Sequence, residues 1–504
     1  MPSSQESKPS INKKGLSIDS PAAFDQYPGF TKTTSPGGES STGSFDDDDI
    51  IPPTHHHRTL VLCFDGTGDQ FDEDNSNIVN FFSMLKKDNP REQLVYYQAG
   101  IGTYTIPQIA KPTMAKFHRI VDAMIGKHLN AHVMGGYEFL MQNYEAGDKI
   151  CIFGFSRGAY TARALAGMIH KIGLLPKCNH QQVPFAYKMY SREDDLGWRQ
   201  STAFKKAFSI DVDIELLGLW ETVGSVGMIP KRLPFTTSNN HVKYFRHALA
   251  LDEHRVRFKP NFWNRPTPED VQRGIPKGYM PRPKPKPKTT RDFERQYSHG
   301  GEYTTDIEEV WFAGCHCDVG GGAVRNEIRN SLARIPLRWM VRQCFILNTG
   351  ILFHREMFKV IGMDPDCLYP IVRPRPPVVT ALSVPHEKEV KYLENVGTSR
   401  TLVDVSDFVS EEEEDLADAL CPINDMLDIA KSWWILEYLP QKIKYQGDDD
   451  AWVKEFLINR GQGRIIPKQH EGVKVHRTVK LRMEHANLTY RPKAQWSVEP
   501  IWVD

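Results

Sequence analysis

The feature that most constrains this chain is an apolar stretch, a five-residue turn and a helical stretch in direct succession. The apolar stretch is KICIFGF, the turn is GFSRG at residues 154–158, and AYTARALAGMIHKIG continues without a proline. The bare G-x-S-x-G pattern is weak evidence, since average Gly and Ser usage gives roughly 0.2 chance matches in such a chain. Between a buried strand and a helix, however, the pattern is typical of a nucleophile elbow. The sequence therefore predicts that Ser156 is a nucleophile.

Both glycines of the turn have a steric reason. A nucleophile lifted above a sheet needs strained backbone, and side chains at Gly154 and Gly158 would collide there. The helix that begins at the serine directs its first backbone N–H groups toward it, so we expect the N–H of Arg157 to be one oxyanion donor. The alternative is that Ser156 only caps the helix.

Other segments alternate between strand and helix character. Strands are predicted at 60–64, 92–100, 149–155, 214–220 and 308–314, and helices at 77–85, 114–144 and 156–173. This alternation predicts an α/β fold of the α/β-hydrolase-like class, a mostly parallel sheet with helices on both faces. We place the catalytic domain at residues 57–345.

Several segments fall outside this pattern. Residues 1–56 are rich in Ser, Pro, Gly and Asp, which predicts a disordered N-terminal tail. An insertion at about 260–305 contains PRPKPKPK at 281–288, which we expect to be extended and exposed. Residues 346–504 are expected to form a helical and mixed C-terminal extension packed on the domain. Within it, the acidic run 411–415 predicts a helix start with a solvated face.

Composition excludes some function classes. Lys+Arg and Asp+Glu each number 63, so bulk charge does not favour nucleic acid as a partner. The eight cysteines show no closely spaced framework, which favours reduced thiols. The first residues lack the apolar core of a secretory signal, and no stretch of eighteen uncharged apolar residues occurs. We expect a cytoplasmic protein without a transmembrane segment, and transient contact with a membrane surface and the oligomeric state both stay open.

A serine nucleophile needs a base, and the base needs an orienting acid. In this fold class the chain order is Ser, acid, His. Glu221 directly follows the strand IELLGLW, and His316 lies just past EEVWFAG. Both positions are carboxyl ends of predicted parallel strands, so Ser156, Glu221 and His316 form the predicted triad.

Other residues compete for the same roles. Asp318 is a rival acid two residues from His316, and His476 is a rival base nearer the C-terminus. Asp252 and His254 form a further local pair.

The second oxyanion donor is expected in the FDGTG loop, from the backbone N–H groups of Gly66 and Thr67. Asp65 in that loop could fix it by accepting N–H groups, or bind a metal.

We predict neither a metal nor a cofactor. Cys315, His316 and Cys317 are adjacent in sequence, whereas the usual zinc-ligand spacings leave at least two residues between cysteines. The glycines at 320–322 lack the Lys-Ser/Thr that a phosphate-binding P-loop needs.

Five motifs occur in order along the chain, namely FDGTG, GFSRGAYTAR, LGLWETVGSVG, HALALDEHR and WFAGCHCDVGGG. Over roughly residues 58–345 this set resembles the family of α/β-hydrolase domains that includes the phospholipase effectors of bacterial type VI secretion, with uncharacterised fungal and bacterial members. The resemblance implies an α/β-hydrolase fold and hydrolysis of esters, with phospholipids among them. The family's serine falls on Ser156 and its histidine on His316. Its aspartate falls on Glu221, a departure of one methylene that leaves Asp318 as an alternative acid.

These observations predict a serine esterase or lipase that acts on a small-molecule or lipid ester. Two alternatives stay open. The first is a non-catalytic scaffold that keeps the hydrolase fold, which the glutamate at 221 favours. The second is a hydrolase of a soluble ester or amide.

Overall fold

A parallel β-sheet forms the centre of the computed structural model. The residues it describes are 49–52, 57–100, 114–224, 233–237, 239, 241–264, 305–379, 408–447, 451–486 and 488–504, with backbone alone at 114–128, 195 and 444. They fall in the compact unit Asp47–Asp504. Its strands, in chain order, are Ile50–Ile51 (β1), Thr59–Phe64 (β2), Gln93–Gln98 (β3), Lys149–Phe155 (β4), Ile214–Trp220 (β5), Val242–Ala250 (β6), Asp306–Phe312 (β7), Phe353–His354 (β8), Gln441–Gln446 (β9), Trp452–Leu457 (β10), Lys474–His476 (β11) and Ile501–Val503 (β12).

Within the described ranges, eight of these strands form one sheet in the order β12-β11-β7-β6-β5-β4-β2-β3. Each neighbouring pair in that sheet is parallel. Two antiparallel pairs, β1 with β8 and β9 with β10, lie outside it. Because the strands run the same way, their carboxyl ends share one edge of the sheet, where loops can bring distant residues together.

The α-helices connect the strands and cover the sheet. They are Asn77–Met84 (α1), Met114–Asn143 (α2), Ser156–Ile172 (α3), Val183–Ser191 (α4), Asp195–Phe208 (α5), His316–Gly320 (α6), Arg334–Ile346 (α7), Glu356–Val360 (α8), Glu411–Ala419 (α9), Met426–Ile429 (α10), Trp434–Glu437 (α11) and Arg477–Glu484 (α12). In the described part of the chain, none is long and apolar enough to cross a lipid bilayer.

Both faces of the sheet are buried, as the apolar runs predict. Val61 of β2 belongs to one hydrophobic cluster, and its neighbours Leu60 and Leu62 belong to the other. Alternate residues of a strand point to opposite faces, so a strand that is apolar throughout needs helices on both sides. The predicted α/β-hydrolase-like class is therefore confirmed.

Three strands of the sheet were missed by the sequence analysis. Strand β6 has the sequence VKYFRHALA, and its charged residues do not predict a buried strand. Arg246 donates to Asp306 over 3.1 Å, and His247 Nδ1 lies 2.8 Å from a carboxylate oxygen of Glu309. These pairings let polar side chains lie inside the sheet. The other two strands, β11 and β12, come from the C-terminal extension and continue the same sheet beyond β7.

The prediction of a solvated acidic face at 411–415 is wrong. Helix α9 does begin at Glu411, but Glu411, Glu414 and Asp415 are buried. Helix α7 carries arginines at four-residue intervals, which lie on one helix face. Their salt bridges to α9 are Arg334 to Glu414 at 2.7 Å, Arg338 to Asp415 at 2.8 Å and Arg342 to Glu411 at 2.6 Å. The acidic run thus fixes the extension to the sheet-covering helix.

The prediction of a disordered N-terminal tail is wrong for residues 50 and 51. Ile50 and Ile51 are buried and pair with His354 and Phe353. The rest of the predicted tail, residues 1–48 and 53–56, lies outside the described residues. So do residues 265–304, which hold most of the predicted insertion and all of PRPKPKPK.

Candidate active site

Ser156 lies on a strained turn between β4 and α3. Its φ is +57°, a left-handed conformation that is uncommon for residues other than glycine. A Cβ on Gly154 would lie 2.6 Å from the backbone of Ala159, and one on Gly158 would lie 2.3 Å from the carbonyl oxygen of Phe64. The backbone contacts leave room for glycine alone, as the steric argument predicts.

Three strand ends bring the predicted triad residues together. Ser156 follows β4, Glu221 follows β5, and His316 begins α6 after β7. His316 Nε2 lies 2.9 Å from Ser156 Oγ, and His316 Nδ1 lies 2.9 Å from Glu221 Oε2. All three residues are buried, at 5%, 0% and 3% exposure for Ser156, Glu221 and His316. The arrangement fits the neutral imidazole tautomer that donates from Nδ1 and accepts at Nε2.

The protonation states suit this geometry. Burial alone would raise the pKa of Glu221, but the charge of Arg464 and the hydrogen bond with His316 outweigh it and lower that pKa to about 2. Burial lowers the pKa of His316, and the hydrogen bond and charge of Glu221 oppose that effect in part. Near neutral pH the site therefore holds an ionised carboxylate beside a neutral imidazole.

Arg464 is a site residue that the sequence analysis missed. Its two terminal nitrogens donate to Glu221 Oε1 and Oε2, each over 2.7 Å. The same nitrogens donate to the carbonyl oxygens of Ala250 and Phe258. The surrounding sequence, NRGQGRII, carries no recognisable catalytic pattern, so nothing in it could have identified the residue.

Two aromatic rings pack against the imidazole. The rings of Phe155 and Phe258 each have centroids 4.9 Å from that of His316, and Trp433 lies 5.7 Å beyond Phe258. The backbone N–H of His316 donates to Glu253 over 3.3 Å. Such packing holds the ring in place and limits access of water to it.

Asp65 fixes the FDGTG loop through hydrogen bonds to its carboxylate. Its carboxylate accepts from Gly66 N at 2.8 Å, Ser76 Oγ at 2.6 Å and Tyr97 Oη at 2.8 Å. Asp65 therefore fixes the loop, one of its two predicted alternatives. The Gly66 N–H is engaged by this carboxylate, so it is not positioned as an oxyanion donor. Among the described residues, the buried Thr67 Oγ1 has no hydrogen-bond partner.

Asp318 and His476, the rival acid and base, form hydrogen bonds with other groups. Asp318 accepts from Cys315 N at 2.8 Å and from Asn424 Nδ2 at 2.7 Å, which ties α6 to the C-terminal extension. His476 ends β11, and its Nδ1 lies 2.9 Å from Thr478 Oγ1. Burial lowers the pKa of His476 to about 3.

Asp252 and His254 also take separate partners. Asp252 accepts from Gly314 N and Tyr490 Oη, each over 2.7 Å. His254 Nε2 lies 2.8 Å from Asp425 Oδ2. Both residues fix loops around the site.

Cys315 and the triple-glycine segment have packing roles. The thiol of Cys315 donates to the carbonyl oxygen of Asp252 over 3.4 Å. A Cβ on Gly320 would lie 1.8 Å from the ring of Phe155, and Gly321 has a φ of +82°. Within the described ranges, no group of three or more His, Cys, Asp or Glu side chains is arranged to hold a metal ion.

Comparison with known proteins agrees with the motifs. Residues 58–343, more than half of the chain, match the family model "T6SS, Phospholipase effector Tle1-like, catalytic domain". This match confirms the resemblance inferred from the five motifs. The uncharacterized protein YEL023C of Saccharomyces cerevisiae is 26% identical over 554 residues, which cover 86% of this chain and 80% of the relative.

Two solved structures are also similar. A crystal structure of an uncharacterized protein from Pseudomonas aeruginosa has 17% identity and a TM-score of 0.31, over 76% of this chain and 54% of that one. A structure of the Tle1 effector bound to the VgrG spike from the type 6 secretion system has 18% identity and a TM-score of 0.26, over 55% and 53%. This chain spans about half the length of either solved chain.

Proposed function

The chain belongs to the family of Tle1-like phospholipase effector catalytic domains, and we propose that it is a serine hydrolase that cleaves carboxylic esters through Ser156, His316 and Glu221. Membership of this family supports lipase or phospholipase activity in general. The observation that supports the proposed triad is the chain of hydrogen bonds from Ser156 Oγ through His316 to Glu221. It starts on a strained strand-to-helix turn, where such a nucleophile is expected.

In the proposed first step, Ser156 Oγ attacks the ester carbonyl carbon while His316 Nε2 takes its proton. The tetrahedral intermediate collapses as the C–O bond to the leaving group breaks, and His316 returns the proton to the departing alkoxide. Water then attacks the acyl-serine with His316 again as base, and Ser156 is released with a carboxylic acid product.

Glu221 has two roles in this proposal. It holds the imidazole in the tautomer that leaves Nε2 as the acceptor, and its charge stabilises the imidazolium formed in each step. The low pKa of Glu221 keeps it ionised through the pH range in which His316 is neutral. Glutamate reaches the ring at 2.9 Å, so the extra methylene does not separate acid and base.

The oxyanion is proposed to bind at the start of α3 and at the FDGTG loop. The backbone N–H of Arg157 lies in the first turn of that helix, where N–H groups and the helix dipole favour negative charge. Thr67 is the proposed second donor, because its buried hydroxyl lacks a partner among the described residues. Gly66 serves as a support for the loop.

Labelling by a fluorophosphonate probe tests the nucleophile. We expect the wild-type protein to be labelled and to hydrolyse p-nitrophenyl esters, and Ser156→Ala to do neither. Ser201→Ala is a matched control, because Ser201 is also buried but donates to Trp198 within α5. Persistent labelling of Ser156→Ala would contradict the assignment, and an unlabelled wild type would favour the non-catalytic scaffold.

The proposed substrates are phospholipids, from the family's description. We expect release of fatty acid from phosphatidylcholine vesicles to exceed hydrolysis of short p-nitrophenyl esters at equal ester concentration. Activity confined to the short esters would instead identify a hydrolase of soluble substrates.

A further inference from the structure

Arg464 forms a buried ion pair with Glu221, the proposed acid of the triad. Glu221 already accepts from Ala250 N at 2.6 Å and from the imidazole, and Arg464 adds a bidentate ion pair to the same carboxylate. The side chains of Arg464 and Glu221 are 4% and 0% exposed. We propose that Arg464 is a positioning residue, which holds Glu221 against His316 and sets the proton affinity of that pair; this inference rests on the proposed function.

Geometry supports the positioning role. A guanidinium is a planar fork that matches both oxygens of a carboxylate, so it fixes the rotation of the carboxylate as well as its place. Glu221 needs such a restraint, because it has one more rotatable bond than aspartate. Its backbone is strained as well, with a φ of +50°. Arg464 is itself held by the carbonyl oxygens of Ala250 and Phe258.

The segment that carries Arg464 is fixed to the loop after β6. Asn459 Nδ2 donates to the carbonyl oxygen of His254 over 2.8 Å, and His254 Nδ1 lies 2.8 Å from the carbonyl oxygen of Gly461. A Cβ on Gly463 would lie 2.0 Å from the carbonyl oxygen of Lys493. Residue 464 lies beyond the family match, which ends at 343. The C-terminal extension thus contributes to a site that the matched domain would otherwise form alone.

The electrostatic consequence concerns protonation of the Glu221–His316 pair. One proton on this pair blocks the base, whichever of the two residues carries it. The buried charge of Arg464 repels that proton and lowers the apparent pKa of the pair. Two other charged groups act on His316 in opposite directions, since Glu253 raises its pKa and Arg255 lowers it. A charge at this range shifts a neighbouring pKa by about one to three units. Arg464 therefore extends activity to lower pH.

The test is the pH profile of kcat/KM for Arg464→Met and Arg464→Lys. In Arg464→Met we expect kcat to fall by about 100-fold through lost positioning, with little change in KM, and the acid limb to move about one to three units to higher pH. Arg464→Lys keeps the charge without the fork. We expect its kcat to fall by less than that of Arg464→Met, and its acid limb to stay near that of the wild type.

Arg482→Met is the matched control, because Arg482 is buried in the same extension but donates to the carbonyl oxygens of Ala419 and Cys421. It should lose stability and keep the wild-type acid limb. An unmoved acid limb in Arg464→Met overturns the inference and leaves the proposed function intact. If that variant does not fold, a wild-type kcat in Arg464→Lys overturns it. A wild type without hydrolysis or labelling refutes the proposed function itself.

Discussion

Replacing Glu221 by glutamine changes one atom at the centre of the site. The carboxylate accepts from three donor groups, namely Ala250 N, His316 Nδ1 and the guanidinium of Arg464. A glutamine amide has one acceptor oxygen, and its NH2 group would face another donor. Glu221→Gln therefore keeps the volume of the side chain and loses both its charge and half of its acceptor capacity.

The loss of stability follows from the pKa of Glu221, which falls from its usual 4.5 to about 2 in the folded chain. A shift of this size corresponds to about 3 kcal/mol of folding free energy. Because the folded pKa is the lower one, this stability is present above pH 4.5 and is lost as pH falls toward 2. Glu221→Gln should lose it at neutral pH and also leave Arg464 buried without its counter-ion, a cost of about 3–5 kcal/mol for the broken pair as a whole.

Glu221→Gln should also lose most of its catalytic activity. An amide opposite His316 no longer selects the tautomer that leaves Nε2 as acceptor, and no charge stabilises the imidazolium. Loss of the orienting carboxylate in a serine triad lowers kcat by about 10,000-fold. We expect a loss of this order for p-nitrophenyl ester hydrolysis, with KM nearly unchanged.

Urea unfolding at pH 7 and at pH 3 measures the first effect, and steady-state kinetics measures the second. The wild type should lose free energy of unfolding between these pH values, and Glu221→Gln should lack that part of the loss. Glu455→Gln makes the same chemical change at an exposed position on β10 and should leave both readouts unchanged. A wild-type kcat in Glu221→Gln would refute the reasoning and return Asp318 to consideration.

Two further predictions test the elbow and the oxyanion loop. In Gly158→Ala the new Cβ would meet the carbonyl oxygens of Phe64 and Asp65 at 2.3 and 2.4 Å, which should cost about 1–3 kcal/mol in urea unfolding. Gly224→Ala, whose new Cβ would have its nearest described neighbour at 3.7 Å, should cost much less, and equal stabilities would contradict the steric account. Thr67→Val should lower kcat by about 100-fold without loss of stability, because the hydroxyl has no partner within the described chain. An unchanged kcat would mean that this hydroxyl does not bind the oxyanion.

Most of the sheet could be predicted because its strands are buried on both faces and read as apolar runs. KICIFGF and IELLGLW are of this kind, and their ends identified Ser156 and Glu221. The buried residues that the sequence did not predict are polar residues whose charge is paired with a partner distant in sequence. Arg246 in β6 is paired with Asp306, and the acidic start of α9 is paired with α7, so local sequence suggested exposure for buried residues.

Arg464 shows the same limit within the site. Its partner Glu221 lies 243 residues earlier in the chain, and neither residue's neighbours indicate the other. Pairing over such a distance depends on β11 and β12 joining the sheet and on loops that local patterns do not specify. Motif spacing could therefore find the proposed serine, base and acid, but not the arginine that pairs with the proposed acid.

The scaffold alternative depended on glutamate replacing the family's aspartate at 221. In the structure the longer side chain reaches His316 at 2.9 Å and meets a guanidinium that restrains its added rotation. An aspartate on the same backbone would be one methylene short, so it could not keep both contacts without movement of β5. Glu221 and Arg464 thus form one hydrogen-bonded unit that contacts His316. The substitution alone then gives no reason to expect an inactive protein, and the case for a scaffold has to come from kinetics.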